Sequence, residues 1–385
     1  FLPLRWETAG EEWWFASPID WAAANGCYEL VRELVLLDGD QLAKLTSLSR
    51  IRRLECLWDD VDDRRFKSVA KSRSKIANKF LRESERNRGH NSLIRAGYGG
   101  WLLYSAAAAG DAAFAKELLG RDPLLVFGGG EYGVSDVLYA AARSRSCRVF
   151  RLVFNSAVSA KKEKDELFRI FRWEITNRAV HAAARGGSWE ILREGLCDGS
   201  ELLNYRDVNG STVLHAAAAA GRIEVVKNLI SSFQIINSID NEGNTALNIA
   251  AFHGHLPVVK HILTNFPSAA SLTNNNGDTF LHMAIYGFKS RSFRSMKQQS
   301  DLMKALILSV DEDIINVQNM EGRAPIHSAV AENLQCEIVE MMLSIPYIDL
   351  NACDSNGNTP LDLLIQRPSS PSKEILIKKI RSAGG

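Results

Sequence analysis

The sequence predicts an all-α solenoid of about nine helical repeats, with a helical insertion after the first. Three observations carry this. A block of ten or eleven residues recurs: STVLHAAAAAG at 211–221, NTALNIAAFHG at 244–254, DTFLHMAIYG at 278–287, RAPIHSAVAEN at 323–333 and NTPLDLLIQRP at 358–368. The glycines opening these blocks (Gly210, Gly243, Gly277, Gly322, Gly357) stand 33, 34, 45 and 35 residues apart. Amphipathic segments follow the blocks, as in IEVVKNLI at 223–230, LPVVKHIL at 256–263 and EIVEMML at 337–343. A fixed period of this size marks a stack of two-helix units, each touching only its neighbours. The long interval holds an insertion of about a dozen residues.

Each element of the block has a physical task. The glycines follow Asn or Glu (Asn209, Glu242, Asn276, Glu321, Asn356), which is hairpin-turn chemistry. Thr212, Thr245, Thr279 and Thr359 stand where a helix starts, and a hydroxyl there accepts an orphan backbone N–H. Paired alanines such as Ala217–Ala218 and Ala250–Ala251 favour helix and let neighbours approach. Leu214, Leu247, Leu281, Ile326 and Leu361 are the expected core positions.

The 385 residues exceed one ordinary compact domain, a limit that a quasi-one-dimensional array escapes. The net charge of +1 gives no global field toward nucleic acid or membrane. No apolar run approaches the roughly 18 residues of a membrane span. The chain opens on Phe1 without a signal-peptide pattern and reads as a processed or excised fragment. The six cysteines (Cys27, Cys56, Cys147, Cys197, Cys336, Cys353) show no C-x-x-C or zinc spacing, which suits free thiols in a reducing compartment.

From the start, SPIDWAAANG at 17–26 reads as the first repeat and ELVREL at 29–34 as its second helix. Trp6, Trp13 and Trp14 before it are expected to cap the stack, and an aromatic partner site is the competing reading. Residues 46–100 break the period. Helices are expected at 45–58 and 66–86, separated by an acidic clump at Asp59, Asp60, Asp62 and Asp63. Phe66, Val69, Ala70, Ile76, Ala77, Phe80 and Leu81 form the apolar stripe of the second. Between Lys67 and Arg95 nine Lys/Arg face two Glu. One reading docks this pair on residues 1–45, which carry eight acids and three bases. The alternative is a binder of a phosphate-bearing ligand or nucleic acid through 67–95, at Lys67, Lys71, Arg73, Lys75 and Lys79.

LLYSAAAAGD at 102–111 and VLYAAARSR at 137–145 are degenerate repeats, with Tyr104 and Tyr139 in the His slot. Gly128–Gly129–Gly130 lacks the phosphate-loop pattern and reads as a connecting loop. A charged insert (KKEKDE, 161–166) precedes the fourth repeat at AVHAAARGG (179–187). The basic, Ser-rich KSRSFRSMKQQS (289–300) delays the seventh repeat's second helix; Ser290, Ser292 and Ser295 there are candidate phosphorylation sites on composition alone. PSKEILIKKIRSAGG closes as a capping helix. The expected organisation is a cap and first repeat (1–45), a basic helical insertion (46–100), repeats two and three (101–154), a charged insertion (155–177) and repeats four to nine with the closing helix (178–385).

The recurring block is an approximate T-P-L-H-x-A, and the chain resembles ankyrin-repeat proteins. With its Trp-rich start, its basic insert, and blocks such as LIRAGYGGWLLYSAAAAGD (93–111) and GEYGVSDVLYAAARS (130–144), it looks like the plant members. The resemblance implies an ankyrin-repeat α-solenoid that binds or scaffolds proteins, often in signalling or defence. It implies no reaction, cofactor or metal. His181, His215, His282 and His327 share one repeat slot, where the family's His hydrogen-bonds the turn and neighbouring backbone; Asn248 fills the slot once. No nucleophile or acid converges with them, so no enzyme is expected. The family's concave face takes the two residues after the paired alanines and the residue after the hairpin Gly. Those slots hold Ala108, Ala109, Ala219 and Ala220, with Arg143, Arg185, Phe252, His253 and Tyr286 elsewhere, while Tyr205 and Arg206 approach from a loop. The expected partner is another protein laid across repeats three to seven, with nucleic acid disfavoured and a cytoplasmic location. A nucleus or membrane periphery, reached through flanking segments, is the alternative.

Overall fold

A computed structural model describes residues 5–7, 13–59, 63–160, 166–196, 201–289, 296–309, 312–368 and 370–385. Expectations resting on the Trp6, Trp13 and Trp14 side chains, the acidic clump at 59–63, residues 161–165, and Ser290, Ser292 and Ser295 lie outside the described residues and side chains. Beyond the first thirteen residues the chain divides into two units, 14–207 and 208–385. The fold is an all-α ankyrin-repeat solenoid.

Two short strands, β1 (Arg5–Glu7) and β2 (Trp13–Phe15), come first. The first unit then runs α1 (Pro18–Ala24), α2 (Tyr28–Leu37), α3 (Asp40–Thr46), α4 (Leu48–Asp59), α5 (Asp63–Arg88), α6 (Gly99–Ala109) and α7 (Ala112–Arg121). A hairpin of β3 (Gly128–Gly129) and β4 (Tyr132–Gly133) leads to α8 (Val134–Arg143), α9 (Cys147–Ser159), α10 (Glu166–Gly186) and α11 (Trp189–Gly195). The triple-glycine loop is thus a small antiparallel hairpin. Helix pairs α1/α2, α6/α7, α8/α9 and α10/α11 form the repeats, with α6 packed on α8 and α8 on α10.

Helix α5 realises the docked reading of the insert. Its Phe66, Val69, Ala70, Ile76, Ala77 and Leu81 are buried, and it packs on α1, α4 and α6. Phe80 is the exception: half-buried, it meets Tyr28 edge-on at 5.4 Å. Ion pairs fasten the end of α5: Arg82 to Glu117 at 2.6 Å, Arg32 to Glu83 at 2.7 Å, and Arg121 to Glu85. Between α1 and α4, Asp20, buried at the start of α1, accepts from Arg50 at 2.5 Å.

Two segment limits differ from expectation. The departure from the repeat pattern begins at α3, upstream of 46, and α10 runs unbroken through 177, so no boundary separates the charged insertion from the fourth repeat. The Ile175, Ala179 and Ala182 stripe is continuous across that point, which keeps the helix whole.

The second unit comprises α12 (Val213–Ala219), α13 (Ile223–Ser232), α14 (Ala246–Phe252), α15 (Leu256–Asn265), α16 (Phe280–Gly287), α17 (Met296–Ile307), α18 (Glu312–Ile315), α19 (Pro325–Ala331), α20 (Cys336–Leu343), α21 (Pro360–Ile365) and α22 (Pro371–Ser382). Helix α17 starts inside the Ser-rich stretch 289–300 expected to delay it. Leu214, Leu247, Leu281 and Ile326 are buried as expected, but Leu361 is half-buried. Gly287 has its own reason to be glycine: a Cβ there would sit 2.0 Å from the Phe252 carbonyl oxygen, so its absence lets α16 press against α14.

Candidate functional site

The geometry of the second unit starts in its hairpins. Asp240, Asn274, Asn319 and Asp354 stand three residues before the hairpin glycines. Each turns its Oδ1 onto two backbone amides, as Asp240 does with Glu242 (2.9 Å) and Asn244 (2.8 Å). This closes an Asx turn that the following glycine completes, with Gly243 at φ 78°. The Asp/Asn-to-Gly spacing is visible in the sequence and was the signal for these residues, which the block-centred reading passed over. Successive tips are then tied by one backbone bond each. The amides of Asn241, Asn275, Met320 and Ser355 donate to the carbonyls of Asn209, Glu242, Asn276 and Glu321 at 2.8–2.9 Å.

The slot histidines hold the helices to this ladder. His215 Nδ1 accepts the Thr212 amide (3.2 Å), which assigns the proton to Nε2, and Nε2 donates to the Asn244 carbonyl at 2.9 Å. His282 repeats this with Thr279 and the Arg323 carbonyl, and His327 with Ala324 and the Ala352 carbonyl. Burial, which disfavours the charged ring, lowers the pKa of His282 and of His327. Asn248 spans the same gap less tightly, 3.5 Å from the Asp278 carbonyl. His181 differs: its Nδ1 lies 2.9 Å from the Asn177 carbonyl of its own helix. Because α10 continues upstream, there is no helix start for His181 to cap.

The expected partner-binding residues separate by burial. Arg143 is buried, its guanidinium 4.5 Å from the Phe66 ring centroid, and Ala108 is buried in the seam between α5 and α6. Both correct the sequence reading. Helix α5 itself covers these slots, and nothing local to either residue signals that. Tyr205 is also buried, its ring 5.8 Å from that of Trp173 on the extended α10. Arg185 is exposed, 5.8 Å from the Tyr139 ring, and Arg206 is exposed. Phe252 and His253 are half-buried and meet edge-on at 5.2 Å; Tyr286 is half-buried, its hydroxyl 3.3 Å from Asp278 Oδ1 and Ser328 Oγ.

The expected phosphate residues separate too. Lys67, Lys71, Lys75 and Lys79 are exposed at four-residue intervals along α5, with Lys79 lying over the Tyr28 ring at 4.8 Å. Arg73 is the correction: it points inward, donates to the Leu45 carbonyl at 2.9 Å, and desolvation lowers its pKa. It belongs to the docking of α5, not to a surface patch. Among the described residues no His/Cys/Asp/Glu group has metal-binding geometry, and no helix is long and apolar enough to cross a membrane.

Comparison with known proteins matches residues 138–240 and 180–272 to the family described as ankyrin repeats (3 copies). NF-kappa-B inhibitor alpha of Gallus gallus is 35% identical over 102 residues, 26% of this chain and 29% of that protein. The nuclear factor NF-kappa-B p105 subunit of Rattus norvegicus is 31% identical over 110 residues, 29% of this chain and 10% of that protein. The chain therefore spans less than a third of either relative.

Proposed function

Because the chain carries ankyrin repeats and is a protein-interaction module, we propose that it is a non-catalytic scaffold whose protein partner docks on the second unit, across Phe252, His253 and Tyr286. This corresponds to the concave side in the family's geometry. The observation carrying the reading is that these three rings stay half-exposed at the ends of α14 and α16, with Phe252 and Tyr286 in corresponding slots, while Ala219 and Ala220 at the end of α12 are small. The first unit's equivalent slots at Ala108 and Arg143 are filled by α5. Aromatic and Arg side chains with room for a partner's group are the usual energetic centres of interfaces. Arg185 and Arg206, exposed in the first unit, are proposed as partner contacts of that unit in their own right. A role in plant signalling or defence rests on the blocks at 93–111 and 130–144, and a cytoplasmic setting on the unpaired thiols of Cys27, Cys147, Cys336 and Cys353. The test is a quantitative pull-down of a partner identified by affinity capture, using Phe252→Ala, Tyr286→Ala and Arg185→Ala chains of unchanged melting. Loss of about 1–2 kcal/mol in any of them supports the reading, and full binding by all three overturns it.

A second reading is favoured by one observation: Lys67, Lys71 and Lys75 form an outward row on α5 and make no salt bridge among the described residues. They would bind a phosphate-bearing ligand or nucleic acid, and such binding falls steeply with salt. Binding that resists salt and survives Lys→Gln changes in the row removes this reading.

A further inference from the structure

Helix α10 is about twice as long as the first helix of the neighbouring pairs, and its early turns carry apolar side chains outward. Leu167, Ile170 and Trp173, three residues apart, are 62%, 59% and 48% exposed. The core-facing side of the same helix is already supplied by Ile175 and Ala179. Two loops widen the patch. Phe127 packs on Phe171 at 6.1 Å and brings its short helix, with Leu124 at 64% exposed, beside α10. Trp173 packs on Tyr205 at 5.8 Å and brings Leu203 at 36% exposed. Five large apolar side chains therefore meet solvent in one region, on the order of 400–500 Å² and near the upper range of what a monomer leaves uncovered.

We propose that this patch is a self-association surface, covered by the same patch of a second copy of this chain. Two arguments select that occupant. Area is the first: two such patches bury about 1,000 Å² together, the lower limit for a specific interface. Charge is the second. The exposed charged residues described around the patch include Glu166, Glu201 and Asp207 with Arg169, Arg172 and Arg206, both signs in equal number. A rim of both signs can be neutralised by its own copy, whereas Glu166 and Glu201 repel an anionic membrane or a nucleic acid. The resulting contact is isologous, the commonest closed arrangement of identical chains. It is small, so its Kd lies in the micromolar range, about 1–100 µM. It lies in the first unit, on α10 and its neighbouring loops, whereas Phe252, His253 and Tyr286 belong to the second.

The test is sedimentation equilibrium of the full chain over a concentration series, with the parent, Ile170→Asp, Ile170→Ser and Phe252→Ala. Ile170 is mostly exposed, so both of its variants should keep the parent's circular dichroism and melting. If Ile170→Asp nonetheless fails to fold, Ile170→Ser carries the test. The expected result is a monomer–dimer equilibrium that Ile170→Asp weakens at least about tenfold, Ile170→Ser weakens less, and Phe252→Ala leaves unchanged. A chain that stays monomeric throughout the series overturns the proposal. So does a dimer insensitive to both Ile170 variants, a dimer broken by Phe252→Ala, or Ile170-dependent binding to phosphatidylcholine/phosphatidylserine vesicles by a monomeric chain. Failure of the Phe252→Ala pull-down leaves this result untouched.

Discussion

His282 Nε2 donates to the carbonyl oxygen of Arg323, 2.9 Å away and forty-one residues on in sequence. One imidazole thus joins the start of α16 to the hairpin of the following repeat. Replacing it by Ala strands the Arg323 carbonyl and the Thr279 amide, so His282→Ala should cost about 2–4 kcal/mol in a urea melt. His282→Asn should recover part of this, since Asn248 fills the same slot with a longer bond.

The same rings set a pH dependence. Burial lowers the pKa of His282 and of His327, so the native state keeps them neutral while the unfolded chain takes up protons near the ordinary value of 6.5. Their contribution is complete above that value and declines as pH falls from about 6.5 toward the lowered native values. Asp354 and Asp362 have lowered pKa values and act only below the ordinary carboxylate value of 3.8. Urea midpoints at about pH 7.5, 6.0 and 5.0 should fall progressively, and less so in the His282→Asn chain.

The docking of α5 is open to a graded test. Leu81, fully buried, should lose about 2–5 kcal/mol on truncation to Ala. Phe80 is half-buried, and Phe80→Ala should lose clearly less. Equal losses, read from thermal or urea melts, would mean that the stripe is not what holds the helix.

Two arginines near α1, the partly exposed Arg50 and the buried Arg73, should respond differently. Arg50→Met leaves the buried Asp20 carboxylate without its counter-ion and should cost about 3–5 kcal/mol. Arg73 has no salt bridge among the described residues, and its Nη1 has no hydrogen-bond partner. Arg73→Met removes a buried charge, so the change should stay below about 1 kcal/mol, in either direction. Neither substitution should alter binding of a short DNA duplex, because neither side chain belongs to the Lys67–Lys75 row.

Tyr286 needs two variants to be read. Its hydroxyl meets Asp278 and Ser328, so Tyr286→Ala removes both a packed ring and these bonds. Tyr286→Phe removes the bonds alone. If the ring is a partner contact, the Phe chain should keep binding within about 1 kcal/mol in the pull-down.

The repeat core was legible because its rules are local. Gly243 and Thr212 act within a few residues of themselves, and the period fixes what His215 meets in the next repeat. Arg73, Arg143 and Tyr205 were misjudged for the converse reason. Each is buried by an element that breaks the period: Arg73 points inward from α5 itself, Arg143 lies under α5, and Tyr205 lies against the extended α10. No pattern around Arg143 states that Phe66, seventy-seven residues earlier, will lie across it. The outward face of α10 was likewise hidden, since LFRIFRW lies inside the stretch expected as a charged insertion (155–177), where no helix face was assigned.

The tip-to-tip bonds of the second unit give it a direction of fraying. Each inner carbonyl is held by the amide of the next tip, while the Asn356 carbonyl accepts none among the described residues. In the chain of 385 residues the hairpin at Gly357 is fastened on one side only among the described residues, so in this chain thermal opening should start there and travel backward one joint at a time. The amides of Ser355, Met320, Asn275 and Asn241 then act as four clocks along one seam. In native-state hydrogen exchange they should lose protection in that order, Ser355 first.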